Sequence, residues 1–238
     1  MEVVEWSPAA KAVIEGKVGG RTVYLVSATL RPETMYGQTN CFVGPSLKYG
    51  VFAINDKDAF LVSYRAARNM AFQGLSPARG EVVQLVEIDG ASIVGTKVKA
   101  PFAVIPEVYV LPMETVKATK GTGVVTSVPS DSPDDYATTE ELRKKAEYYK
   151  VDPKWLDFTP VPVIKTTKYG ELTAVETAKA LADAKEIAYK EGFYGGTMVI
   201  GDFKGESVQE AKPKVRAQLI GKRTGRRLRG ARELGRVA

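Results

Sequence analysis

The chain has 238 residues, 44% of them hydrophobic and 26% charged, which is ordinary globular composition with room for one large domain or two small ones. It holds no histidine and one cysteine, Cys41. Internal disulfides, Cys/His zinc sites and Ser-His-Asp or Cys-His nucleophile pairs are therefore excluded.

In chain order, residues 1–30 read as strands: RTVYLVSATL (21–30) is β-branched and aromatic, and Gly19-Gly20 before it marks a turn. CFVG (41–44), YGVFAI (49–54) and AFLVS (59–63) are short apolar runs, and 56–72 predicts a strand passing into a helix that ends near Phe72. EVVQLVEIDGASIVGTKVKAP (81–101) alternates around Asp89-Gly90, which predicts a hairpin. VYVLPM (108–113) and GVVTSVPS (123–130) add two strands. Helices come late. SPDDYATTEELRKKAEYY (132–149) opens on residues suited to a helix N-terminus. LTAVETAKALADAKEIAYKEGF (172–193) sets Thr173 and Glu176 at capping-box spacing, with Val175, Ala178, Leu181, Ala182 and Ala188 near one face. The pattern predicts a β-rich α+β domain over residues 1–220, with a partly closed, barrel-like core and peripheral helices.

The net charge of +6 belongs to the end of the chain. Residues 221–238 hold seven of the 34 Lys+Arg and one of the 28 Asp+Glu, so the first 220 carry 27 of each. This basic tail has no apolar period and is set apart as an appended or disordered extension, with phosphate binding as the alternative. No apolar run approaches the roughly 18 residues of a membrane span, and MEVVEWSPAA lacks the order of a secretion signal.

Two stretches look unlike packing. TLRPET (29–34) gathers hydroxyls, a permanent cation and a carboxylate at what reads as a strand end; the plainer alternative is a turn capping its own backbone. GTGVVTSVPSDSPDDYA (121–137) starts with glycines that let backbone approach a ligand closely and ends on an acidic helix start. There the plainer alternative is helix capping, which accounts for Asp131 and Asp134. Cys41, Trp6 and Trp155 are expected to pack, and Lys117, Lys120, Lys165 and Lys168 to be solvated.

Together, TLRPETMYGQTN and GTGVVTSVPSDSPDDY resemble the editing domain of leucyl-tRNA synthetases, the inserted connective polypeptide, in its eukaryotic cytosolic form. The resemblance spans roughly residues 1 to 220, and it implies the editing-domain fold shared with the valyl and isoleucyl enzymes. The first motif alone is shared more loosely with the valyl enzyme; YGQTN and SDSPDDY favour the leucyl branch. The implied activity is hydrolysis of the ester on leucine tRNA mischarged with isoleucine, valine, norvaline or methionine, in the cytoplasm. The implied partners are the tRNA 3′ end and the rest of the parent synthetase, with no membrane and a monomeric domain. The HIGH and KMSKS activation signatures are missing, so no cofactor is expected; ATP serves only the synthetic domain. The alternatives are a non-enzymatic tRNA-binding module and a valyl editing domain, which would take threonine esters.

The physical need stands apart from the resemblance. One methylene is worth about 1–3 kcal/mol in a pocket, so a single binding step cannot deliver a clean code. A second site must refuse leucine by a steric wall. The resemblance puts that wall at Thr34, whose branched β-carbon is stiff, and the carboxylate that grips the substrate α-ammonium at Asp135. Thr29 and Arg31 would line the catalytic rim. Gly121, Thr122, Gly123, Val124, Val125, Thr126, Ser127 and Val128 would lie along the adenosine. Leu30 stands where bacterial relatives have a threonine, and Asp131 and Ser132 where they have His-Asp. Water is then the nucleophile, with no histidine base and no metal. An apolar-walled pocket between Thr34 and Asp135 is expected.

Overall fold

A computed structural model of the chain describes residues 1–166, 181–221, 227–228 and 236–237. The predicted capping box at Thr173 and Glu176 and the residues Val175, Ala178 and Lys168 lie outside them.

Two open sheets share one core. The first, five-stranded, runs β1 (Val3–Glu5), β7 (Lys97–Lys99), β8 (Glu107–Pro112), β3 (Asn40–Val43) and β9 (Val124–Ser127). The second runs β2 (Thr22–Leu25), β5 (Asp58–Val62), β4 (Lys48–Ala53) and β6 (Gln84–Asp89). The pairs β3–β8 and β2–β5 are parallel and the other neighbours antiparallel. Cys41, Val43, Val98, Val108 and Val110 of the first sheet meet Leu25, Val51, Leu61 and Ile88 of the second in one apolar cluster. An isolated bridge, Glu2 with Tyr24, ties the β1 and β2 edges. Among the described residues the far edges, β9 and β6, do not pair, so the expected partial closure is a core between sheets rather than a barrel.

Strand β3 is buried along its whole length. Its Cys41 and Val43 face the shared core, and Phe42 joins Leu111, Leu142, Val151 and Leu156 in a separate cluster beneath α4 (Pro133–Lys144). That two-sided burial explains an unbroken apolar run where an exposed strand would alternate. Cys41 packs as expected: burial pushes its thiol up to about 12. Trp155 stacks on Tyr109, with ring centroids 5.8 Å apart.

Three expectations are corrected. The N-terminal segment is not all strand, because α1 (Pro8–Ile14) forms with Pro8 at its first turn and Ser7 accepting from the Ala10 N–H at 3.1 Å. The strand of 21–30 stops at Leu25. The hairpin at Asp89-Gly90 does not form: β6 pairs with β4, a single helical turn α3 (Gly90–Ile93) follows, and β7 joins the other sheet. The reason is close packing. A Cβ at Gly90 would lie 2.0 Å from the Gly44 carbonyl oxygen, so this glycine serves a backbone contact and not a turn.

The strand-to-helix passage over 56–72 is β5 followed by α2 (Tyr64–Ala71), with Phe72 as its C-cap. Late in the chain, α5 (Leu181–Glu186) runs through a π-helical turn, Ile187–Glu191, into α6 (Gly192–Tyr194). Strands β10 (Ile164–Lys165) and β11 (Thr197–Met198) then pair beside α7 (Val208–Gly221), around a third apolar cluster that includes Tyr36. In the tail, β12 (Arg227–Leu228) and β13 (Arg236–Val237) form a two-residue antiparallel ladder of their own.

Candidate functional site

The TLRPET stretch is not a strand end at a sheet rim. Pro32 opens a 3₁₀ turn, Pro32–Gly37, in which every residue is buried. Arg31 is its hub. The Arg31 N–H donates to the Thr29 hydroxyl at 2.9 Å, and the Thr34 hydroxyl donates to the Arg31 carbonyl at 2.8 Å. That second bond fixes the Thr34 rotamer and commits its hydroxyl proton, leaving the methyl and an acceptor-only oxygen. The Thr29 hydroxyl keeps its own proton to donate.

The second motif reaches the first through β9. Asn40 and Cys41 of β3 pair with Ser127 and Thr126, and the Thr39 N–H donates to the Ser127 carbonyl at 3.1 Å. The Arg31 Nη1 then donates to the Asp131 carbonyl at 2.8 Å, tying the turn to the loop that enters α4. Two stretches about a hundred residues apart are thereby held together. Gly37 packs tightly in the seam: a Cβ there would come within 3.2 Å of Ser130 Oγ and 2.6 Å of Val163.

Asp135 lies in the first turn of α4, 6% exposed, and its Oδ2 accepts from the Val128 N–H at 2.9 Å. Asp131, 5% exposed, accepts from the Ser130 hydroxyl at 2.5 Å. It is not a helix cap, which corrects the expectation for it: Ser132 holds the N-cap position, and no side chain caps there. Asp134 pairs with Lys185 at 2.7 Å, and the Tyr189 hydroxyl sits 3.4 Å from Asp134 and 3.2 Å from Ser132 Oγ. Tyr189, Lys185 and Glu33 were not among the expected site residues. Of these, only Glu33 lies inside a motif; the other two arrive by tertiary packing.

The glycine-led run divides. Gly121 and Gly123 have positive φ, 61° and 82°, but the Gly123 carbonyl accepts from the Tyr49 hydroxyl at 2.6 Å. The Thr122 carbonyl accepts from the Ser63 N–H at 2.8 Å. This half of the run is committed to the second sheet. Val125 is exposed and Thr126 half-buried, while Ser127 and Asn40 are buried, with no hydrogen-bond partner for Oγ and Nδ2 among the described residues. Lys117, Lys120 and Lys165 are exposed. Two cavities lie elsewhere: one of about 10 Å³ under Phe52 and Met70, and a shallow groove of about 570 Å³ along Tyr136, Arg143, Phe158 and Pro160. Neither is lined by Thr34 or Asp135.

Burial pushes the Asp131 and Asp135 carboxyls up to about 6, against the pull of Arg31 on both. With the folded pKa above the unfolded 3.8, the native state holds these protons more tightly. The resulting stability is full below the unfolded pKa and is lost as pH rises through about 6. At pH 7 each buried charge is a cost. Asp131→Asn should therefore raise the free energy of urea unfolding at pH 7 by about 1–2 kcal/mol, and the gain should vanish near pH 4. A lower urea midpoint for the variant at pH 7 would show that the charge is already compensated.

The chain has sequence relatives. It is 53% identical over 231 residues to the cytoplasmic leucine–tRNA ligase of Neurospora crassa and 49% identical over 234 residues to that of Saccharomyces cerevisiae, with 92% of the chain covered in each case. It spans about a fifth (21%) of the length of these relatives. Among solved structures it superposes on GlLeuRS-CP1 with a TM-score of 0.85 at 41% identity, covering 91% of this chain and 85% of that one. It superposes on the Plasmodium falciparum cytosolic leucyl-tRNA synthetase editing domain with a TM-score of 0.76 at 26% identity, covering 86% and 79%. No protein-family model matches the chain. Among the described residues no helix is long and apolar enough to cross a membrane.

Proposed function

The chain belongs to the editing, or CP1, domains of the cytosolic leucyl-tRNA synthetase family, and from that premise we propose that it hydrolyses the ester linking a wrong amino acid to leucine tRNA. The observation that carries the reading is the Arg31–Asp131 tether, which sets the turn bearing Thr34 against the helix start bearing Asp135. Support also comes from the residues' chemistry. Asp135 supplies a buried carboxylate for the substrate ammonium, and the Thr34 methyl a stiff wall for the side chain.

Water is the nucleophile. An aminoacyl ester is already activated, so orientation and N–H donors toward the developing oxyanion can supply the rate enhancement. In this reading the Thr29 hydroxyl, which accepts from the Arg31 N–H and has its proton left to donate, holds water or the ester. Within the glycine-led run, Val125 to Val128 are the part left to line the adenosine. The tRNA end and the remaining parts of a parent synthetase are the partners in this reading, the cytoplasm its place, and no metal or cofactor is invoked. Thr34 and Asp135 are nearly covered, so the ester reaches them only as neighbouring side chains part.

The test is single-turnover deacylation of leucine tRNA charged with isoleucine, norvaline or leucine, by this chain at high concentration and by a full-length synthetase carrying it. Faster loss of isoleucine and norvaline, with leucine spared, is the expected result. Equal rates for all three esters would sink the reading, and preferential loss from valine tRNA charged with threonine would move it to the valyl branch.

A further inference from the structure

Behind the Thr34 turn, Arg31 meets two charges that the chemistry above does not use, Glu33 and Lys212. Glu33 is fully buried (0% exposed), and among the described residues neither carboxylate oxygen meets a donor in full hydrogen-bond geometry. Two cations flank its Oε1: Arg31 Nε at 3.5 Å and Lys212 Nζ, from α7, at 3.6 Å. The Lys212 side chain is 12% exposed, and its Nζ lies 3.4 Å from the centre of the Phe193 ring. Arg31 also lies over that ring, at 5.9 Å. A buried carboxylate between two half-buried cations that share one aromatic face is costly to assemble for stability alone, since desolvation commonly cancels the attraction.

We infer that Lys212 is a positioning residue of the editing site, holding Glu33 so that Arg31 stays turned toward the Asp131 carbonyl. The inference rests on the function proposed above. A buried carboxylate with one cation draws it in fully; with two, the demand on each is shared. Arg31 sits at that branch. Its Nε faces Glu33 while its Nη1 donates to Asp131. Without the Lys212 charge, Arg31 is the one counter-ion left to Glu33 among the described residues and swings onto it, releasing the loop that carries Asp135. Phe193 keeps Lys212 in place through its ring face. Burial opposes the charges on both Glu33 and Lys212, and their mutual attraction offsets part of that cost.

The experiment follows the Arg31 Nε–Hε resonance in the labelled full chain, together with isoleucine-ester deacylation. Lys212→Met is expected to move Hε downfield as Arg31 Nε closes from 3.5 Å into a hydrogen bond with Glu33, and to lower kcat about tenfold with KM changed less than threefold. Lys212→Arg should leave the resonance in place and kcat within threefold of wild type. In Lys212→Met/Glu33→Gln the resonance should stay in place, because no charge remains to attract Arg31. A purely structural lysine would move melting temperature in every variant without this pattern. Should Lys212→Met fail to fold, Lys212→Gln, which also drops the charge and leaves the Phe193 ring in place, is expected to shift Hε in the same direction. An unmoved Arg31 resonance in the folded variants overturns the inference. A wild-type chain that spares every ester, with the resonance pattern intact, overturns the proposed function instead.

Discussion

Asp135→Ala is expected to lower kcat/KM for every aminoacyl ester by about a thousandfold, with no preference among side chains. A charge-assisted bond to an ammonium is worth about 1.5–3 kcal/mol, roughly 10–150-fold. The rest comes from orientation, since an ester displaced by about 1 Å can lose a further hundredfold. The two effects overlap, which is why their product is not the expectation. Asp135→Asn keeps an acceptor for the Val128 N–H but loses the charge, so it should fall between wild type and Ala. The wild-type profile carries its own signature. With Asp135 titrating at about 6, kcat/KM should drop as pH falls through that value, because the protonated acid no longer attracts the ammonium. In Asp135→Asn that limb should flatten. Thermal unfolding of both variants separates this from misfolding: removing a desolvated charge offsets the lost Val128 bond. Retention of activity within threefold in Asp135→Ala would place the ammonium on another group.

Much of this site could be read from residues 29–40 and 121–136, because the chemistry there is local. Hydroxyls, a guanidinium and a carboxylate within six residues are visible without any fold. What holds them together is not local. Pairing of β3 with β9 brings Asn40 to Ser127, and that register follows from the burial of Phe42 on one face and Cys41 on the other. No period in either segment encodes it. Lys212 and Phe193 were illegible for the same reason: each lies in a helical stretch of ordinary composition and matters only where α6 and α7 dock on the Pro32 turn. The misread hairpin shows the opposite failure. Asp-Gly between alternating runs is a sound turn signal, but Gly90 is needed against Gly44, and close packing prevailed over turn preference. The glycine-led run misled more mildly, since its positive-φ Gly123 serves Tyr49.

Thr34→Ala is expected to reverse the domain's selectivity, raising leucine-ester hydrolysis about 10–100-fold while isoleucine-ester hydrolysis stays within threefold. Selectivity depends on which part of Thr34 faces the ligand. Its hydroxyl proton is committed to the Arg31 carbonyl at 2.8 Å, so it cannot also donate to the ester or to an oxyanion. Its stiff β-branch is what a γ-branched side chain would strike, whereas a β-branched isoleucine carries its bulk one atom nearer the ester. Removing the methyl clears about one carbon's volume, worth about 1–3 kcal/mol of exclusion. The lost hydroxyl bond costs about 1 kcal/mol of stability, too little to unfold a domain of this size. Thr34→Val separates the two contributions, for it keeps the branch and drops the hydroxyl. Leucine should remain excluded in Thr34→Val and be hydrolysed in Thr34→Ala. If instead both variants lose isoleucine hydrolysis and both spare leucine, the hydroxyl is catalytic and the wall lies on another residue of the turn.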